Sequence, residues 1–219
     1  MVKIVLATKK TNVLACPDQV DEMTDFLAYE DTAYGVFGDG IFYLGNKKER
    51  AITHDWQGDV LAAAYAGNVY LLLKETGVIW RYQGGDQGFG AKQNWLAGGT
   101  KPDFGEAKQI SIDGAVWVLT GPTTILKFSL GCPQNFIPKD VFPEIKSVAV
   151  VYSDEESRFF YVLEPTQKRL VVLEKNGQYK AQYLADEIGQ ATSLAVSEKE
   201  KKAVYLAGDK LYSFEIKHL

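Results

Sequence analysis

The chain has 219 residues, of which 46% are hydrophobic and 24% are charged. A chain of this length and composition can bury a core of several layers without disulfides or metals. Its 28 acidic and 24 basic residues give a formal net charge of -4, so no overall positive field is available to attract a phosphate backbone. The composition therefore indicates a globular protein and argues against nucleic acid as a partner.

The sequence carries no sign of a membrane segment or a signal peptide. No stretch approaches the roughly 20 apolar residues that a bilayer crossing requires. The first residues do not join a basic start to a long apolar run and a small-residue cleavage site. We therefore expect a soluble domain with no membrane segment in this chain. A membrane anchor or signal peptide upstream of Met1 is the alternative.

Apolar runs recur along the chain with a period of about 44 residues. The aromatic residue in the middle of each second strand falls at Tyr34, Tyr70, Trp117, Tyr161 and Tyr205. Each repeat starts with a small apolar strand, passes through a polar turn into the aromatic strand, and adds a third and a weaker fourth strand. No repeat has the apolar spacing of three and four that a helical solenoid needs, so the pattern predicts a β-propeller.

Five repeats, or blades, are predicted. They cover approximately residues 23–53, 59–97, 107–138, 147–184 and 192–216. The fifth repeat lacks a fourth strand, whereas residues 2–7 form a strand that belongs to no repeat. We expect this strand to pair into the last blade, because it would cover an exposed sheet edge and close the ring. Residues 1–219 are thus predicted to be a single all-β domain, a five-bladed β-propeller. A partial propeller, or a six-bladed one with residues 1–22 as the remnant of a sixth blade, is the alternative.

The segment from Glu164 to Gly177 resembles the NHL-type propeller repeat. It has an acidic turn, a basic residue, a β-branched strand and a Lys-Asn-Gly ending. Residues 69–82 and 116–128 look like weaker copies. Residues 59–219 are similar to the C-terminal propeller regions of uncharacterised bacterial proteins, some of which carry a membrane segment upstream. The resemblance implies a binding platform without chemistry, as the soluble domain of a larger, membrane-anchored bacterial protein.

Candidate binding residues lie on the loops between repeats. In a propeller these interblade loops share one face, where ligands usually bind. The candidates for binding a ligand or partner are Trp56, Asp59, Lys101, Asp103, Phe104, Phe142 and Asp186. Trp56 is the best single candidate, because an exposed Trp is an efficient anchor. The alternative for Trp56 is a plug between two blades.

The sequence shows no catalytic, metal or cofactor signature. His54, Asp55 and Asp59 lie close together, but the second histidine is His218 near the end of the sequence, so a metal site would rest on carboxylates alone. Residues 84–90 imitate a glycine-rich phosphate loop but precede no helix, so we expect a flexible loop between strands. The sequence therefore predicts no cofactor and no metal.

Three functions are compatible with this pattern. The leading prediction is a non-enzymatic interaction module that binds a protein or other ligand through its interblade-loop face. A lectin-like propeller that binds carbohydrate is the alternative, although the same aromatic does not recur at one loop position in every repeat. A glycoside hydrolase ranks third, with Asp25 and Asp59 as the carboxylates near strand starts of different repeats. Cys16 and Cys132 are predicted to lie on opposite faces and to remain free thiols.

Overall fold

A computed structural model describes residues 2–5, 10–17 and 22–219. The fold is all-β, and five of its antiparallel sheets, of three or four strands each, are the blades of a β-propeller. By internal contacts the chain divides into a first unit, Met1–Trp95, and a second unit, Leu96–Leu219. Within the described ranges, no helix has the length and apolarity needed to span a membrane.

The first unit contains a two-stranded sheet and two four-stranded sheets. The two-stranded sheet pairs β1 (Val2–Val5) with β2 (Lys10–Val13). The next sheet consists of β3 (Asp25–Tyr29), β4 (Thr32–Phe37), β5 (Gly40–Tyr43) and β6 (Arg50–Thr53). The last sheet of this unit consists of β7 (Val60–Tyr65), β8 (Asn68–Leu73), β9 (Val78–Gly85) and β10 (Gly88–Asn94). In each sheet, strands that follow one another in sequence are paired.

The second unit contains three sheets with the same sequential order. The third blade consists of β11 (Ala107–Ile112), β12 (Ala115–Thr120), β13 (Thr124–Ser129) and β14 (Cys132–Gln134). The fourth consists of β15 (Val150–Tyr152), β16 (Phe160–Glu164), β17 (Arg169–Leu173) and β18 (Tyr179–Leu184). The fifth consists of β19 (Ala191–Ser197), β20 (Lys202–Ala207) and β21 (Lys210–Glu215). Short 3-10 helices cover Pro165–Gln167 and Asp186–Gln190.

The central strands of the fourth blade are buried on both faces. Phe160 and Val162 pack in a cluster with Trp117 of the third blade, whereas Tyr161 and Leu163 pack in a cluster with residues of the fifth blade. Alternate residues of one strand therefore fill two different interfaces between sheets. This double burial explains why the strand reads as a continuous apolar run and not as an alternating one.

The strand at the start of the chain is paired differently from the prediction. Residues 2–5 pair antiparallel with β2, with Val2 opposite Val13, and not with the last blade. Closing a short hairpin loop costs less chain entropy than pairing across the whole sequence, which favours the local partner. Residues 6 and 7 of the predicted strand lie outside the described residues, within which the fifth blade has three strands.

Two outer strands also correct the sequence interpretation. Residues 84–90 are not a flexible loop, because β9 and β10 pair there, with Gly88 opposite Gly85. A side chain at Gly84 would place its Cβ 2.0 Å from the backbone oxygen of Gly67, so the close approach requires glycine. The last strand of the third blade starts at Cys132 and covers residues 132–134, whereas residues in the range 107–138 were predicted only as one repeat with a weaker fourth strand. Cys132 and Cys16 are both exposed free thiols.

Candidate functional site

A cleft of about 660 Å³ lies beside the segment that leads into β11. Its volume lies in the range of small-molecule and side-chain pockets in proteins. Lys101, Asp103 and Glu106 contribute charged groups, and Leu126 and Phe128 contribute apolar ones. We call it the Lys101 cleft. It combines an apolar floor with a few polar groups that could orient a ligand.

Three of the seven predicted site residues meet at the Lys101 cleft. Lys101 and Asp103 line it and are exposed, and Oδ1 of Asp103 accepts a hydrogen bond of 2.9 Å from the backbone N–H of Gly105. Phe104 is fully buried, and its ring packs edge-on against Phe128 with 5.9 Å between centroids. Phe104 therefore supports the lining of the cleft, and its ring is closed to solvent.

Trp56 is buried, which corrects the expectation of an exposed anchor. Its side chain is 6% exposed and packs in the core formed by the two four-stranded sheets of the first unit. The His54 ring stacks on it at 4.5 Å with an interplanar angle of 9°. Because an indole gains more from apolar burial than any other side chain in this polar segment, Trp56 is favoured as a buried residue between the two sheets, which was the alternative prediction. Trp56 and the exposed Asp59 line a smaller cleft of about 280 Å³ together with Lys74.

The last two predicted residues lie elsewhere in the second unit. Phe142 is 84% exposed. Asp186 forms an ion pair of 2.8 Å with Lys168, and the hydrogen bond between them lowers the pKa of Asp186. Both side chains are exposed, so this pair contributes little to stability. Within the second unit the predicted residues are thus dispersed, because Lys101 and Asp103 line the Lys101 cleft whereas Phe142 and Asp186 do not.

Sequence reasoning missed a groove of about 580 Å³ in the second unit. One wall is residues 123–125, where the turn after β12 leads into β13, and the other is the segment 136–145 between the third and fourth blades. We call it the acidic groove, because Asp140 and Glu144 are the charged residues that line it. Pro138 and Pro143 frame a short irregular run, residues 139–142, whose sequence has no periodicity that would indicate a groove.

The wall of the acidic groove is held by a buried ion pair. Nε of Arg169 donates to Oε2 of Glu164 at 2.8 Å, and both side chains are buried. Arg169 also donates through Nη2 to the backbone oxygens of Pro143 at 2.6 Å and Glu144 at 3.2 Å. Oε1 of Glu164 accepts from the backbone N–H of Lys146 at 2.6 Å. Glu164 and Arg169 therefore serve to fix this wall.

One polar cluster resembles a catalytic arrangement without having its chemistry. The ammonium of Lys175 contacts Asp113 and Ser153, and Oγ of Ser153 donates to Oδ2 of Asp113 at 2.6 Å. A lysine that activates serine must accept the hydroxyl proton, whereas the Ser153 hydroxyl is directed to Asp113, and Ser153 is buried. The cluster instead joins the third and fourth blades, because the Ser111 hydroxyl also donates to the backbone oxygen of Ser153 at 2.7 Å.

Asp25, one of the two carboxylates considered for a hydrolase, has a structural role. Its Oδ2 accepts a hydrogen bond of 2.7 Å from the backbone N–H of Ala62, which ties β3 to β7. Its Oδ1 accepts from the backbone N–H of Phe26 at 2.7 Å. Burial raises the pKa of Asp25 above its ordinary value. Both oxygens are therefore engaged with backbone groups of the chain itself.

No family model and no curated protein matches the sequence. Several solved structures share the fold at low identity. A protein of unknown function from Bacteroides caccae has a TM-score of 0.62 and 11% identity, with 97% of this chain and 84% of that chain covered. A catalytically inactive virginiamycin B lyase from Staphylococcus aureus, crystallised with quinupristin, has a TM-score of 0.59 and 12% identity, with coverage of 99% and 77%.

A third similar structure is much longer than this chain. PorZ, an essential bacterial surface component of the type-IX secretion system of Porphyromonas gingivalis, has a TM-score of 0.57 and 12% identity. The match covers 91% of this chain but 25% of PorZ, so the chain spans about a quarter of that protein. At these identities the comparisons establish the β-propeller fold, and function must be argued from the residues of this chain.

Proposed function

We propose that this β-propeller is a non-enzymatic interaction module that binds a protein partner or other ligand through loops between its blades. The observation that carries the proposal is the Lys101 cleft, in which Lys101, Asp103 and Glu106 surround an apolar floor. An interblade segment supplies these charged residues. Such loops vary freely on a rigid sheet scaffold, which is where binding sites are usually built.

The residues of this chain support binding more than catalysis. The carboxylate of Asp25 is engaged with backbone N–H groups, and Lys175 is a hydrogen-bond donor within its cluster. Ser153, whose hydroxyl donates to Asp113, is buried, and both oxygens of Asp25 accept from backbone groups, so neither arrangement offers a substrate an accessible nucleophile or a pair of carboxylates poised for acid-base chemistry. One of the similar structures is a lyase, so this argument depends on the side chains and not on the fold.

A protein partner is favoured over a carbohydrate at the Lys101 cleft. Sugar binding commonly uses an exposed aromatic face, whereas Phe128 is 2% exposed and Phe104 is fully buried. We further propose that residues 1–219 form a single propeller domain of the NHL-like type. Its place within a larger, membrane-anchored bacterial protein remains a prediction from the sequence.

The proposal can be tested by affinity capture with a matched pair of variants. Wild-type protein, Lys101→Glu and Lys108→Glu would be immobilised and exposed to a lysate of the source organism and to a glycan array. Lys108 is also exposed but lies on β11 outside the cleft lining. We expect a protein retained by wild type and Lys108→Glu to be lost with Lys101→Glu. Equal retention by all three proteins would refute the role of the cleft, and glycan binding alone would favour the lectin alternative.

A further inference from the structure

The acidic groove has an apolar floor. Phe136 and Ile125 are buried in the core of the second unit, and Val141 and Ile145 are partly buried against the same cluster. All four also line the groove. A ligand that enters the groove therefore meets apolar surface at its base, and burial of that surface would favour binding.

The charged groups that line the groove are both acidic. Asp140 and Glu144 are exposed, and Oδ2 of Asp140 accepts a hydrogen bond of 2.8 Å from Gln178. In the part of the chain that the structure describes, no ion pair neutralises either carboxylate. Lys139 and Lys146 belong to the same stretch of chain but are not among the lining residues. The groove thus complements a cationic ligand.

Large apolar side chains are exposed on the groove wall. Ile137 is 57% exposed and lines the groove, and Phe142 in the same segment is 84% exposed. Exposed aromatic and aliphatic side chains that adjoin a groove are typical of protein interaction sites. A partner that fits this surface would therefore bring apolar side chains in addition to its positive charge.

The wall is fixed before any ligand binds. The backbone N–H of Lys139 donates to the oxygen of Gly177 at 2.8 Å, and the N–H of Tyr179 donates to the oxygen of Lys139 at 3.1 Å. Farther along the segment, Gln182 donates to the backbone oxygen of Phe142 at 3.3 Å. Because the segment is tied to the fourth blade along its length, binding would cost little ordering of the loop.

We propose that the acidic groove binds an extended segment of a partner protein in which Lys or Arg residues alternate with apolar residues. The alternation suits a groove that offers two carboxylates above an apolar floor. This inference rests on the proposed function as an interaction module and specifies the chemistry of its partner. It is independent of the Lys101 cleft, which different residues line.

Fluorescence anisotropy with defined peptides tests the inference. The probe is a labelled eight-residue peptide of alternating Arg and Leu, compared with alternating Glu and Leu and with alternating Arg and Gly. We expect the Arg-Leu peptide to bind best, with affinity that falls as salt is raised. The double variant Asp140→Asn, Glu144→Gln should weaken binding of this peptide roughly twofold to thirtyfold, as expected for the loss of two exposed ion pairs.

The matched control replaces Glu155 and Glu156, two exposed acidic residues of the turn before β16, by glutamine. This variant removes the same charge and should bind like wild type. Equal weakening in both double variants, or equal binding of the Glu-Leu peptide, would overturn the inference. Ile137→Ala, at an exposed apolar residue that lines the groove, should weaken binding of the Arg-Leu peptide without changing its salt dependence, and binding unaffected by that change would contradict the apolar part of the inference.

Two further outcomes distinguish the possible failures. If sedimentation shows a dimer that the Asp140→Asn, Glu144→Gln variant loses, and no peptide binds, then the groove holds a second copy and the inference is wrong. If no peptide binds but capture still depends on Lys101, the inference fails and the proposed function stands. If neither binding is found, both fail.

Discussion

Glu164 and Arg169 form an ion pair of 2.8 Å in the interior of the second unit, with side-chain exposures of 0% and 1%. The two residues begin and end a tight connection between β16 and β17, and they are directly opposite each other in the sheet register. Nη2 of Arg169 and Oε1 of Glu164 bind the backbone of the segment 143–146, and Nη1 of Arg169 donates to the side chain of Gln182 at 2.8 Å. A buried charge pair is stable only when its other polar atoms are also satisfied, and this pair meets that condition.

Removing one member of this pair should be strongly destabilising. Arg169→Met would leave the Glu164 carboxylate buried without its cation and would free the backbone oxygens of Pro143 and Glu144. We expect a loss of about 3–5 kcal/mol in the free energy of unfolding, measured by urea denaturation. The control Lys168→Met removes a cation at the adjacent, exposed position and should change the urea midpoint little. Similar midpoints for the two variants would contradict the role assigned to the buried pair.

Gly177 is expected to control the position of the groove wall. Its φ is +93°, and an added Cβ would lie 2.2 Å from the backbone oxygen of Ile137. Gly177→Ala should therefore combine a conformational cost with a clash against backbone, and displace the wall. Gly99→Ala separates the two effects, because Gly99 has a φ of +86° and open space around the added atom. We expect about 1 kcal/mol of destabilisation for Gly99→Ala and clearly more for Gly177→Ala in urea denaturation. Equal destabilisation by Gly177→Ala and Gly99→Ala would mean that the close contact with the backbone oxygen of Ile137 has no energetic cost.

The blade cores were predictable from sequence because their signal is local. Each central strand is an apolar run with an aromatic residue at its middle, and Tyr70, Trp117 and Tyr161 are all buried as that pattern requires. The buried position of Trp56 was not predictable, because a single Trp in a polar segment has no periodicity to indicate which way it faces. The acidic groove was not predictable either. Its wall is irregular in sequence and is held by Arg169, which lies 25 residues beyond Glu144.

Links between neighbouring blades should be sensitive to loss of one amide side chain. Gln109 on β11 accepts from the backbone N–H of Val151 at 2.8 Å and donates to its backbone oxygen at 2.9 Å. Val151 is fully buried, so Gln109→Ala would leave two buried backbone groups unpaired. We expect a loss of about 1–3 kcal/mol in the free energy of unfolding.

The matched control for this link is Gln134→Ala. Gln134 is exposed, and its amide makes a single long contact of 3.5 Å to the backbone oxygen of Cys132. Thermal or urea unfolding should show no more than a few tenths of a kcal/mol for this change. If Gln109→Ala is as stable as Gln134→Ala, the side chain of Gln109 does not join the third and fourth blades in solution.

His218 lies in a directed hydrogen-bond chain after the last strand. The hydroxyl oxygen of Tyr183 accepts from the backbone N–H groups of Lys217 at 2.7 Å and His218 at 3.1 Å. The Tyr183 hydroxyl can then donate its own proton to Nδ1 of His218 at 2.8 Å. In this arrangement Nε2 carries the ring proton and faces the Tyr161 hydroxyl at 3.2 Å. Tyr161 in turn donates to Glu198 at 2.9 Å. The chain of donors and acceptors suits a neutral imidazole.

Stability should therefore fall as the pH drops through the titration of His218. Burial lowers the pKa of His218 below its ordinary value of 6.5, with a smaller contribution from Lys180 and an opposing one from Glu198. The unfolded chain then binds this proton more readily than the folded one, so the stabilising contribution is full above about pH 6.5 and is lost as the pH falls towards the folded pKa. Urea midpoints measured between pH 8 and pH 5 should decline over this interval in the wild type. His218→Asn cannot titrate, so its urea midpoint should decline less with falling pH. It should also be less stable than the wild type at pH 8, because it loses the hydrogen bonds of the imidazole ring to Tyr183 and Tyr161. Parallel curves for the two proteins would show that His218 is not the group responsible.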